Sequence, residues 1–112
     1  MCQFTIGSLL KQLESGAKKN ADLLDMNVCY SEFGSIEPCS SILLKGESCV
    51  IDGCIAEAQF TVSDIILALR QFVKEDESAR DFPIFHVEFG GLEKTDNITI
   101  RTINDENVLC LS

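Results

Sequence analysis

The sequence predicts an α+β domain. It is expected to hold a helix and three strands, given twice, with a mainly antiparallel sheet, two helices packed on it and a pseudo-two-fold relation. Three observations predict this. Apolar residues recur at helical spacing in two places. Each such stretch is followed by short β-rich runs bounded by turn residues. The chain also resembles itself at a spacing of 56, half of its 112 residues.

The first helix is expected from Ile6, Leu9, Leu10 and Leu13, which share one face. Thr5 is its natural N-cap and Gly16 its expected stop. The strand "DMNVCYSEF" (25–33) follows, with Met26, Val28 and Tyr30 alternating against Asn27, Cys29 and Ser31. "SSILLKG" (40–46) reads as the next strand. "SCVI" (48–51) and "CIAEAQF" (54–60) flank Asp52-Gly53, a favoured hairpin turn. The second helix repeats the first with Val62, Ile65, Ile66 and Leu69, extended by Phe72 and Val73. Thr61 and Asp64 have capping-box spacing. "KEDESARD" (74–81) reads as a polar exit into a loop. "DFPIFHVEF" (81–89) is apolar on both faces, which predicts a central strand or one at the junction of the halves. Pro83 then stands at its start, because proline cannot donate to a ladder. "DNITIRT" (96–102) and, after the turn-like "NDE", "NVLCLS" (107–112) complete the set.

Laying residues 1–56 over 57–112 without a gap gives identity at Gln3/Gln59, Phe4/Phe60, Thr5/Thr61, Leu13/Leu69, Lys18/Lys74, Asp25/Asp81, Glu32/Glu88, Phe33/Phe89, Gly34/Gly90, Glu37/Glu93, Ile42/Ile98 and Cys54/Cys110. Chance at ordinary composition would give roughly three or four such pairs. Pairs such as Ile6/Val62, Leu9/Ile65, Val28/Ile84 and Ile36/Leu92 keep apolar character in register. One domain of two tandem repeats, 1–56 and 57–112, is therefore expected. The repeated Glu-Phe-Gly reads as a structural corner: phenylalanine buried at a strand end, glycine in the turn, glutamate outward.

The formal net charge is −9. Nucleic acid is not expected as a partner, because phosphate contacts need a basic patch. No apolar run approaches the roughly 20 residues of a membrane helix. The opening lacks the basic and apolar regions of a secretory signal, so a cytoplasmic location is expected. The six cysteines, Cys2, Cys29, Cys39, Cys49, Cys54 and Cys110, are then expected as reduced, mostly buried thiols. The first half carries seven acidic and four basic residues, the second eleven and five. A charge-reading partner would thus favour the second half.

The opening "FTIGSLLKQLESGAKKNADLLDMNVCY" resembles that of small, mostly uncharacterised prokaryotic and phage proteins. Their N-termini run Thr-hydrophobic-x-x-Leu-hydrophobic-x-x-Leu, then Asp and a strand. The likeness covers about the first quarter; the Gly16–Leu24 connection is longer than theirs. It implies an accessory or inhibitor role and carries over no catalytic residue.

Candidate chemistry is sparse. His86 is the sole histidine and aligns with Tyr30. Glu88 and Glu32 lie two residues on, hence on the same strand faces. If the halves meet about a two-fold axis, Tyr30, Glu32, His86 and Glu88 could converge as an acid–base site. The alternative is a strand histidine beside solvated glutamates. Cys39, Cys49 and Cys54 allow a metal hypothesis, though no Cys-x-x-Cys spacing occurs. Their alternative is core packing. "FGG" (89–91) precedes no helix and is not a phosphate loop. Glu75-Asp76-Glu77 lacks the ligand spacing of a calcium loop. The expected function is that of a small non-enzymatic binding or regulatory protein without cofactor. Its partner would be another protein with a basic surface, met through the acidic surface or an exposed sheet edge, by a monomer or homodimer. The alternatives are a small-molecule or metal module at the junction of the repeats, or a small enzyme using His86.

Overall fold

The structure, a computed structural model, describes residues 3–32, 34–53, 59–88 and 90–112. It is an α+β fold of two helices and two four-stranded, mainly antiparallel sheets. Helix α1 (Ile6–Lys19) leads into a 3₁₀ turn (Ala21–Asp25), then β1 (Asn27–Glu32), β2 (Ser35–Pro38), β3 (Ser41–Lys45) and β4 (Ser48–Asp52). Helix α2 (Val62–Glu75) leads into a second 3₁₀ turn (Glu77–Asp81), then β5 (Ile84–Glu88), β6 (Gly91–Lys94), β7 (Ile98–Ile103) and β8 (Glu106–Leu111).

Each helix starts on a capping box. The Thr5 hydroxyl accepts from the Ser8 backbone, and the Ser8 hydroxyl accepts from the Thr5 backbone N–H in return. Thr61 and Asp64 repeat the exchange. Ile6, Leu9, Leu10 and Leu13 bury one face of α1; Val62, Ile65, Ile66, Leu69 and Val73 bury that of α2. Each such aliphatic burial contributes on the order of 1.5–3 kcal/mol. Gly16 does not end α1, which runs three residues further. Its missing side chain serves packing instead: a Cβ there would lie 2.9 Å from Leu23 Cδ2. The polar stretch after α2 is not an open loop either. It folds into the second 3₁₀ turn, with Ala79 fully buried.

The strands form two sheets rather than the single sheet expected. Their orders are β2-β1-β8-β7 and β3-β4-β5-β6. Each sheet joins one hairpin from either half through a parallel central pair, β1 with β8 and β4 with β5. Two four-residue strands, β2 and β6, escaped the periodicity reading, because each is too short to alternate visibly. Of the hairpin expected at Asp52-Gly53, the first strand is β4, and the second, 54–60, lies mostly outside the described residues. β4 has both edges filled by β3 and β5. The tight turns fall one strand away. One contains Gly46 at φ +60°; the other holds Asn104 and Asp105 at φ +51° and +66°, as a type I′ hairpin requires.

Contacts between the halves come in reciprocal pairs. Ile84 N donates to Phe4 O, and Val28 N donates to Phe60 O. Phe4 N donates to Thr95 O, and Phe60 N to Cys39 O. The Gln3 amide donates to Ile84 O, and the Gln59 amide to Val28 O. Each partner lies 56 positions from its counterpart. The Gln-Phe-Thr triplets therefore dock each half onto the other, the reciprocity of an isologous interface. A spacing of 56 relates these positions as far as β3 and β7, and then changes. Val28 pairs with Leu109, and its counterpart Ile84 pairs with Cys49. Leu109 and Leu111 thus take the places of Cys49 and Ile51, a spacing of 60. The β7–β8 hairpin is the longer one, and Cys110 corresponds in space to Val50, not to Cys54.

Candidate functional site

The junction of the halves brings together two of the four residues singled out for acid–base chemistry. Tyr30 on β1 and His86 on β5 meet with ring centroids 6.2 Å apart, tilted by 48°. The two positions are 56 apart, so each half contributes the same place in its strand. Glu14 and Arg70, also 56 apart, meet likewise between the helices: Arg70 Nε lies 2.9 Å from Glu14 Oε2. Where like positions face one another, identical residues would repel or clash. Both pairs here are unlike.

His86 is 2% exposed, and its Nδ1 lies 2.8 Å from the hydroxyl of fully buried Thr95. Burial lowers its pKa, against the pull of Glu88, Glu93 and Asp96. The imidazole is thereby held neutral in a fixed hydrogen bond. Tyr30 is 3% exposed, and its hydroxyl accepts from Gly53 N–H at 3.0 Å. Burial raises its pKa; the Gly53 bond opposes this, and Asp52, Glu32 and Glu37 add to the rise. Gly53 is a packing glycine. A Cβ there would stand 2.5 Å from Pro38 O.

Around these buried rings the surface is acidic. Glu32, Glu37 and Asp52 act on Tyr30, and Glu88, Glu93 and Asp96 on His86. On the His86 side a groove of ≈ 660 Å³ opens, lined among others by Ser31, Glu88, Leu92, Glu93, Lys94 and Asp96; its three carboxylates all come from the second half, and Lys94 offsets one of them. Glu32 and Glu88 stand half-buried at the ends of their strands. The helices and 3₁₀ turns, with Asp76 between α2 and its 3₁₀ turn, carry eight acidic and six basic residues, whereas the strands and their described connections carry nine and three. The negative charge thus concentrates on the strand side. The sequence marks Gly53 only as a turn residue and Asp96 only as the start of a strand, and nothing in it marks Thr95. The one signal for Thr95 is register: it matches buried Cys39 in the overlay.

Cys29, Cys39, Cys49 and Cys110 are buried free thiols. Burial pushes the Cys39 and Cys49 thiols up to about 12. Cys39 Sγ donates to Ser41 O at 3.8 Å. Cys29 Sγ accepts from the Gln59 amide at 3.2 Å, which offsets part of its own burial-driven rise. These thiols are core residues that stay protonated. Cys54, the third metal candidate, and Cys2 lie outside the described residues. Among the described residues no group of three or more His, Cys, Asp or Glu could hold a metal ion. Among them, too, no helix is long and apolar enough to cross a membrane.

Comparison with known proteins finds no match: no family model, no curated protein and no solved structure.

Proposed function

We propose that this chain is a non-enzymatic binding protein that receives a basic segment of another protein on its acidic strand side. One observation carries this reading: carboxylates from both halves surround the Tyr30–His86 junction. Clustered carboxylates beside a groove attract cations more than the same charges dispersed. The buried state of His86 supports a supporting rather than a reacting role for the ring. The accessory or inhibitor role implied by the opening's likeness to phage proteins is one form of this function. The same reading takes the two halves as copies of one ancestral unit, supported by their shared element order and reciprocal contacts.

A lysine- and arginine-rich peptide of about a dozen residues is the probe, followed by calorimetry and amide NMR shifts. Binding is expected at low salt, weakening steeply as salt rises. Glu93→Lys together with Asp96→Lys should weaken it strongly. Glu75→Lys, at the far end of α2, should leave it nearly unchanged. Equal loss in both variants would reduce the effect to net charge and sink the proposal.

A further inference from the structure

We propose that the free edge of β7 is a dimerisation surface, and that its occupant is β7 of a second copy of this chain. Among the described residues β7 pairs with β8 alone. It is one of four sheet edges, and the others are blunted. β2 and β6 have four residues each, with Glu37 and Pro38 on one and Glu93 and Lys94 on the other. β3 is one residue shorter than β7 and ends on Lys45. β7 reads Ile-Thr-Ile-Arg-Thr-Ile, five β-branched residues in six, without proline. Edges of this kind invite strand pairing unless something prevents it.

The ladder says which backbone groups are available. Asn97 and Ser112 exchange both hydrogen bonds, so Asn97 faces β8. Alternation then turns Thr99, Arg101 and Ile103 toward β8 as well, and turns Ile98, Ile100 and Thr102 outward. A second β7, brought in antiparallel about an axis normal to the sheet, keeps each side chain on its own face. It must therefore pair even positions with even ones. Setting Ile100 against Ile100 of the second copy uses all three outward residues, since Ile98 then meets Thr102 in both directions. Every outward N–H and C=O of the strand finds a partner. Ile100, which is 50% exposed, covers its own counterpart. Arg101 faces Thr99 rather than another arginine. The two sheets become one of eight strands.

Two chains of charge −9 repel, so this contact should strengthen with salt. A basic partner on the acidic groove should respond in the opposite sense, and the two readings can fail separately. The test is sedimentation velocity on the full chain, from roughly 1 µM to 1 mM, at low and high salt. A dimer favoured by concentration and by salt is expected. Ile100→Lys places like charges opposite each other and should raise the dissociation constant at least about tenfold. Thr102→Pro removes an outward donor that the fold itself does not use, and should do the same. Leu67→Lys, on exposed α2, should change nothing. Circular dichroism checks that each variant is folded. A monomer under all conditions, or a dimer indifferent to both β7 variants, would overturn the proposal.

Discussion

At the scale of the residue, His86 and Gly53 decide how the junction behaves. The His86 pKa is lowered by burial from its usual 6.5. The folded chain then binds fewer protons than the unfolded chain just below that pH. Stability should fall as pH drops from about 6.5 toward the folded-state value, and be flat with respect to this group above it. Imidazole NMR titration reads the pKa directly, and a value above 6.5 would contradict the buried, neutral ring. Gly53 lets β4 pass close to β2. Gly53→Ala would force a methyl against the Pro38 carbonyl and displace the N–H that serves Tyr30. A loss of about 1–3 kcal/mol is expected in urea denaturation, from overpacking and an orphaned buried hydroxyl.

At the scale of the element, the caps and helix faces were legible in the sequence, and the sheet order was not. Thr5 and Thr61 each precede a helical apolar stripe, a local signal with a local cause. Replacing either by alanine should cost about 1 kcal/mol, measured by thermal melts. Strand pairing is set at long range. Nothing near β1 in sequence reveals that its inner neighbour is β8, with Cys29 beside Cys110. The two buried rings were placed in register by the overlay. Their Thr95 and Gly53 partners come from chain segments that no periodicity marks. Gly16 misled for the same reason, since its role depends on Leu23 seven residues on. The second half reverses the sizes, with Phe72 in place of Gly16 and fully buried Ala79 in place of Leu23. Each helix end thus carries one large and one small side chain at these two positions, in opposite order. Gly16→Phe alone should overpack by about 1–3 kcal/mol. Adding Leu23→Ala should recover part of that loss, a coupling readable in a double-mutant cycle.

At the scale of the whole molecule, the halves are interlocked rather than adjacent. β1 lacks an inner neighbour without β8, and β4 lacks one without β5. Val28 and Ile84 each donate to the segment that precedes the other half's helix. One core takes side chains from both helices and both sheets. A chain ending after residue 56 would expose that core face and strip β1 of one edge. Pairing with its own copy would set Glu14 against Glu14 and Tyr30 against Tyr30. The native pairs at those positions are an ion pair and a tilted ring contact. Residues 1–56 alone are therefore expected to be largely unfolded by circular dichroism. Mixed in equal amounts with residues 57–112, they should regain helix and sheet signal and run as a one-to-one complex. If residues 1–56 fold unaided as a monomer, the interlocking does not hold the fold together. The unlike pairs at the junction would then have to be explained by the surface they support rather than by assembly.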